Sequence, residues 1–308
     1  MGAGNFSMTD WDKFKNDHQI DSRSAAETFN KSADPKFDPR KIGLRESCES
    51  KDKPNVTPII IALDVTGSMG VIPEALIKGG LGNLMKNLLA KKSIPNPHIM
   101  FMAVGDVNCD RAPLQVTQFE ADVRIAEQLK NLYLEGGGGG NGSESYPIAW
   151  HFAASRTALD SFNKREEKGM LFTIGDDYAP EKISGYHLDK FLGEENSRDL
   201  TTREMLKMAQ DKFEVFHLGI QQSSTYTTDV KRSWTSLLGE RHIAVADYTQ
   251  IDKTIVETID AIVGQRNRIN ASARSLNRLS LMAAPRDESQ PPAYEPPSPT
   301  SSYRMNMT

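Results

Sequence analysis

The feature that most constrains this chain is the run Thr57-Pro-Ile-Ile-Ile-Ala-Leu63. It ends on Asp64 and opens into a loop of small residues, Val65-Thr66-Gly67-Ser68-Met69-Gly70. A continuous apolar run of this length reads as a strand buried on both faces, which requires helices on both sides of its sheet. The segments that follow repeat the pattern. Residues 98–105, 169–175, 213–219 and 242–246 read as further strands, and 115–119 as a short strand at the sheet edge. Between them lie helical periods. Ile77, Leu81, Leu84, Met85 and Leu88 share one face after Pro73, and further helices are expected over 122–134, from Pro147, around Leu206 and Met208, at Trp234–Leu238 and from Ile251. Strands alternating with helices predict an α/β fold: a doubly wound, mostly parallel sheet with helices on both faces. In such a sheet the functional loops lie beyond the carboxyl ends of the strands, where the strand order reverses.

The rest of the chain divides around this core. Residues 1–55 are polar, with scattered aromatics (Trp11, Phe14, Phe29, Phe37), and read as an arm that packs on the domain in places. The core spans 56–265. Arg266, Arg268, Arg274 and Arg278 make 266–288 a basic helical extension, and 289–308 is a Pro/Ser-rich tail whose composition predicts disorder. The tail contains Pro291-Pro292-Ala293-Tyr294, a form that WW domains bind.

Composition excludes several classes. The net charge of −4 gives no global case for nucleic-acid binding. Two cysteines, Cys48 and Cys109, are too few for a disulfide framework or a cysteine-based zinc site. No signal peptide or membrane-spanning run is seen, so a cytoplasmic protein without membrane contact is expected. There is no Gly-x-x-x-x-Gly-Lys loop and no Gly-x-Ser-x-Gly elbow, and the six histidines show no metal-ligand repeat.

The chemistry concentrates in three loops. In the first, Asp64, Thr66 and Ser68 stand at alternate positions with Gly67 and Gly70 between and after them, a set of hard oxygens suited to a divalent cation. The plain alternative is a strand-to-helix turn rich in small polar residues. The second loop runs from Gly136 through five glycines to Asn141-Gly142-Ser143-Glu144-Ser145-Tyr146, where Ser145 is also a natural N-cap for the helix at Pro147. The third is Gly175-Asp176-Asp177-Tyr178. Asp106, at the end of the second strand, faces the same edge, followed by Asp110 and Arg111.

Ala62-Leu63-Asp64-Val65-Thr66-Gly67-Ser68-Met69 resembles the metal-ion-dependent adhesion site (MIDAS) motif of von Willebrand factor A-type (vWA) domains, Asp-x-Ser-x-Ser, with Thr66 for the first serine. The resemblance covers roughly residues 56–265 in element order, and Arg45–Cys48, Cys109–Pro113 and Gly136–Tyr146 look like a microbial branch of that superfamily. It implies a vWA, Rossmann-like fold and a metal set of Asp64, Thr66, Ser68, Glu144 and Asp176, with Asp106, Ser143, Ser145 and Asp177 as auxiliaries. Glu144 falls where the family has threonine, with Ser143 or Ser145 as substitutes. Asp176 stands for the family aspartate, with Asp177 as the fallback. The positive end of the helix at Pro147 is expected to help hold Glu144 ionised. The implied cofactor is Mg2+, with Mn2+ or Ca2+ as alternatives. The implied function is a protein-binding module rather than an enzyme, whose cation takes a partner's carboxylate, with a larger assembly or an ATPase as the kind of partner. Two other readings stand beside it: a metal-dependent phosphohydrolase on the same acids, and a scaffold that binds through its tail.

Overall fold

The computed structural model describes residues 4–136 and 142–283. The glycines after Gly136 and the Pro/Ser-rich tail, with its Pro-Pro-x-Tyr run, lie outside the described residues. The described chain is mixed α/β, built on a six-stranded sheet. Its strands are β1 (Thr57–Asp64), β2 (Pro97–Val104), β3 (Leu114–Val116), β4 (Gly169–Gly175), β5 (Phe213–Ile220) and β6 (His242–Val245). The order is β6-β5-β4-β1-β2-β3. All neighbours are parallel except β2 and β3.

The chain builds the sheet outward from β1 in one direction, through β2 and β3, and then in the other, through β4, β5 and β6. The order therefore reverses between β1 and β4. Leu63 pairs with Ile174 and Asp64 with Val104, so the carboxyl ends of β1, β2 and β4 share one edge.

Alternate strand residues enter two separate cores. Ile59, Ile61 and Leu63 of β1 join one core; Ile60 and Ala62 join the other. The first core is closed by three elements. One is a helical run, α2, from Val71–Ala75 through a π turn at Leu76–Gly80 to Leu81–Ala90. The others are helix α3 (Arg124–Lys130) and the first turns of the helix Ile251–Ala283. The second is closed by α4 (Tyr146–Ser155), α5 (Gly185–Leu192), α6 (Thr202–Lys212) and α7 (Thr228–Leu238). Helix α4 has no exposed stripe: every residue from Tyr146 to Ala153 is buried, which explains why its sequence carries little helical amphipathicity.

The arm is more integrated than its polar composition suggests. Its helix α1 (Met8–His18) starts with the Ser7 hydroxyl accepting from Asp10 N at 3.1 Å, and it buries Trp11 and Phe14 in the first core beside Phe29 and Phe37. Arg45–Ser47 pairs in parallel with Thr157–Leu159, a ribbon that short, charged segments do not announce. Residues up to Gly264 form one compact unit, and a second begins at Gln265, within the helix Ile251–Ala283. Among the described residues no helix is long and apolar enough to cross a membrane.

Candidate functional site

Asp64 is the last residue of β1 and is fully buried. Its Oδ1 accepts from Thr66 N at 2.9 Å and from Thr66 Oγ1 at 2.6 Å, so the loop curls back onto its own aspartate. Its Oδ2 accepts from the Tyr146 hydroxyl at 2.7 Å. Burial pushes the Asp64 carboxyl up to about 7. The bonds from Thr66 and Tyr146 act in the opposite direction, and the charge of Asp176 adds to the rise. Ser68 is exposed on the turn Gly67–Met69 and is not among the donors to Asp64.

The third loop brings Asp176 to the same edge. It is fully buried, its Oδ2 accepts from the Ser223 hydroxyl, and its Oδ1 has no partner among the described residues. Asp177 turns away toward its own loop: its carboxylate accepts from Tyr178 N at 2.7 Å, while its carbonyl accepts from Trp234 Nε1 at 2.8 Å.

The second loop is tied to the third through backbone. Ser143 bridges to Tyr178, and Glu144 N donates to Tyr178 O at 2.9 Å. Glu144 is buried and its Oε2 has no partner among the described residues. Burial first, then the charges of Asp64, Asp106, Asp110 and Asp177, push its carboxyl up to about 9. Burial and these four like charges favour the neutral carboxyl, opposite in direction to the expected help of the helix end.

The cap assigned to Ser145 is also corrected. Ser145 occupies the N-cap position, but its hydroxyl makes no cap bond. It donates instead to Asp106 Oδ1 at 3.2 Å and accepts from Val107 N at 3.0 Å, pinning the loop after β2. Asp106 likewise closes its own loop. Oδ1 accepts from Asn108 N and Nδ2, and Oδ2 from Cys109 Sγ at 3.2 Å, a bond that pushes the Cys109 thiol up to about 11.

The structure thus gathers Asp64, Thr66, Glu144 and Asp176 around one sheet edge, and sets Ser143, Ser145, Asp106 and Asp177 into the framework around them. The donor set is oxygen only, and two buried carboxylate oxygens, Glu144 Oε2 and Asp176 Oδ1, lack partners. That chemistry fits a hard cation. Among the described residues no three His, Cys, Asp or Glu side chains form a metal-holding group.

Two residues of this edge were not foreseen. Ser223 lies in a polar loop with no motif. Tyr146 is fully buried, packs edge-on to His217 and Trp234, and sends its hydroxyl over the end of β4 to Asp64. The one trace in the sequence is Gly175, where any Cβ would overlap the Tyr146 hydroxyl. Behind Tyr146, His217 stacks on Trp234 with centroids 3.5 Å apart, and burial holds His217 well below the usual imidazole range.

No protein-family model matches the chain, and no curated protein does. Among solved structures it is similar to the pilus adhesin SpaC of Lactobacillus rhamnosus GG in its open conformation. The identity is 10% and the TM-score 0.44, over 72% of this chain and 31% of that one. Another form of SpaC matches at 12% identity and a TM-score of 0.45, covering 72% of this chain and 32% of that one. Proximal thread matrix protein 1 of the mussel byssus matches at 8% identity and a TM-score of 0.42, covering 68% of this chain and 48% of that one. The chain spans about a third to a half of the length of these proteins.

Proposed function

We propose that this chain is a vWA-type binding module with a doubly wound sheet, whose top edge takes one divalent cation, Mg2+ by preference, and through it a carboxylate of a protein partner. The observation that carries the reading is the surplus of buried acid at the switch point. Asp64, Glu144 and Asp176 are buried, none of them is in an ion pair among the described residues, and two of their oxygens lack partners. Buried carboxylates without a counter-charge are costly, and a cation supplies one. Asp64, Thr66, Glu144 and Asp176 would hold the ion, with Ser68 at the exposed rim. The ion would supply a Lewis-acidic position for the partner's carboxylate.

The test is calorimetric titration of the full chain with Mg2+ and Mn2+, in wild type and Asp64→Ala. The expected result is saturable one-site binding in wild type and at least tenfold weaker binding in the variant, with the same near-ultraviolet circular dichroism. Equal affinity in the two proteins would refute the site.

A further inference from the structure

A concave region of the fold is lined by none of the acidic residues of that edge. It is a cavity of about 370 Å3 between arm residues 33–41, the segment 111–115 entering β3, and the last turn of α5. That volume is within the range that takes small organic ligands.

Its charge is unbalanced. Arg40, Lys41, Arg111 and Lys190 line it, against two carboxylates, Asp34 and Asp38. Asp38 is committed to Arg40, with Nη2 to Oδ2 at 2.7 Å and Nε shared by both oxygens. Asp34 accepts from the backbone of Lys36 at 2.9 Å. Lys41, Arg111 and Lys190 form no ion pair among the described residues. In a chain of net charge −4 this concentration of positive charge is local, and it raises the local concentration of anions.

The walls mix charged and apolar surface. Pro39, Pro113 and Leu114 are buried, and Phe191 carries the Lys190 ammonium at 4.5 Å from its ring centre. The strand edge adds a directional donor. Val116 N donates outward to Phe37 O at 2.9 Å, and Arg45 Nη2 reaches Val116 O at 3.0 Å. Two residues earlier the same alternation turns the Leu114 amide away from β2, and Leu114 lines the cavity.

We infer that this cavity is a binding site for a small anionic molecule, a carboxylate or phosphate carried on an apolar body. The anion sits between Arg111, Lys41 and Lys190, where a guanidinium can hold two oxygens at once. The body lies on the proline and Phe191 walls. The site stands apart from the proposed cation site and does not depend on it.

Phenyl phosphate, benzoate and inorganic phosphate titrated by calorimetry into the full chain in EDTA test this, since EDTA removes any contribution from divalent metal. The expected result is saturable one-site binding of phenyl phosphate or benzoate, weakening as NaCl is raised, and several-fold tighter for phenyl phosphate than for inorganic phosphate. The pair of aromatic probes tells which anion the site prefers. Arg111→Glu and Lys190→Glu change exposed side chains and should keep the wild-type melting temperature while weakening binding at least tenfold. Absence of saturable binding by both aromatic probes, or unchanged affinity in both variants, would overturn the inference.

Discussion

Replacing Tyr146 by phenylalanine deletes one hydroxyl and leaves the ring, whose centroid lies 5.2 Å from that of His217 and 5.5 Å from that of Trp234. The loss falls on the buried Asp64 Oδ2, which accepts from that hydroxyl at 2.7 Å. The cost depends on the charge of Asp64. A hydrogen bond to a neutral group contributes about 0.5–1.5 kcal/mol, and one to a charged group about 1.5–3 kcal/mol. Burial lifts Asp64 to about 7. In metal-free protein the carboxyl is therefore neutral at about pH 5 and ionised at about pH 8.5. Tyr146→Phe should cost about 1 kcal/mol at the lower pH and about 2–3 kcal/mol at the higher. The gap of about 1.4 kcal/mol corresponds to an upward move of about one unit in the Asp64 pKa, since the bond to Tyr146 is one of the influences holding it down. Urea unfolding of both proteins in EDTA at the two pH values measures the gap. A loss of the same size at both pH values would refute the assignment of the Tyr146 hydroxyl as a donor to an Asp64 that titrates between them.

Gly175→Ala places a Cβ against the Tyr146 hydroxyl, so it should cost about 1–3 kcal/mol and reproduce the pH dependence of Tyr146→Phe in the same unfolding assay. Asp64 and Glu144 both have folded pKa values raised above those of the unfolded chain. Their contribution is full below about pH 4 and is lost as pH rises through about 7 and about 9; His217 and His242, whose folded pKa values are lowered, oppose the loss up to about pH 6.5, so the melting temperature in EDTA should fall between about pH 7 and about pH 9. Glu144→Gln should flatten that fall, and saturating Mg2+ should oppose it in wild type; a melting temperature that rises between about pH 7 and about pH 9 in EDTA would contradict the Glu144 direction. Trp234→Ala removes the stack on His217 and the bond to the Asp177 carbonyl, and should destabilise by about 3–5 kcal/mol in chemical denaturation.

Much of the framework was legible in the chain. A strand buried on both faces has to be apolar at every position, so Thr57–Leu63 and Gly169–Gly175 declare themselves, and helices that cover one face declare themselves by period, as Leu81–Ala90 does. The loop from Asp64 to Ser68 was equally visible, because its residue types and spacing lie within five consecutive positions. Small polar residues in a short loop are a local pattern.

What the sequence left undecided depends on partners far apart in the chain. The hydroxyl of Ser145 had a local role open to it, as a helix cap, and tertiary structure gave it Asp106 and Val107 instead. The carboxyl of Glu144 is pushed up by burial and by four acids from three separate loops, none adjacent to it in sequence. The polar arm buries Trp11 and Phe14 because one core is completed by them, although the arm's own composition offers little apolar period. Tyr146 reaches Asp64 only because β1 and β4 are neighbours and Gly175 leaves the space above β4 open. Local pattern determined which elements form and where the acidic loop lies; the packing of distant elements decided which oxygens of that loop are satisfied and which remain for a ligand.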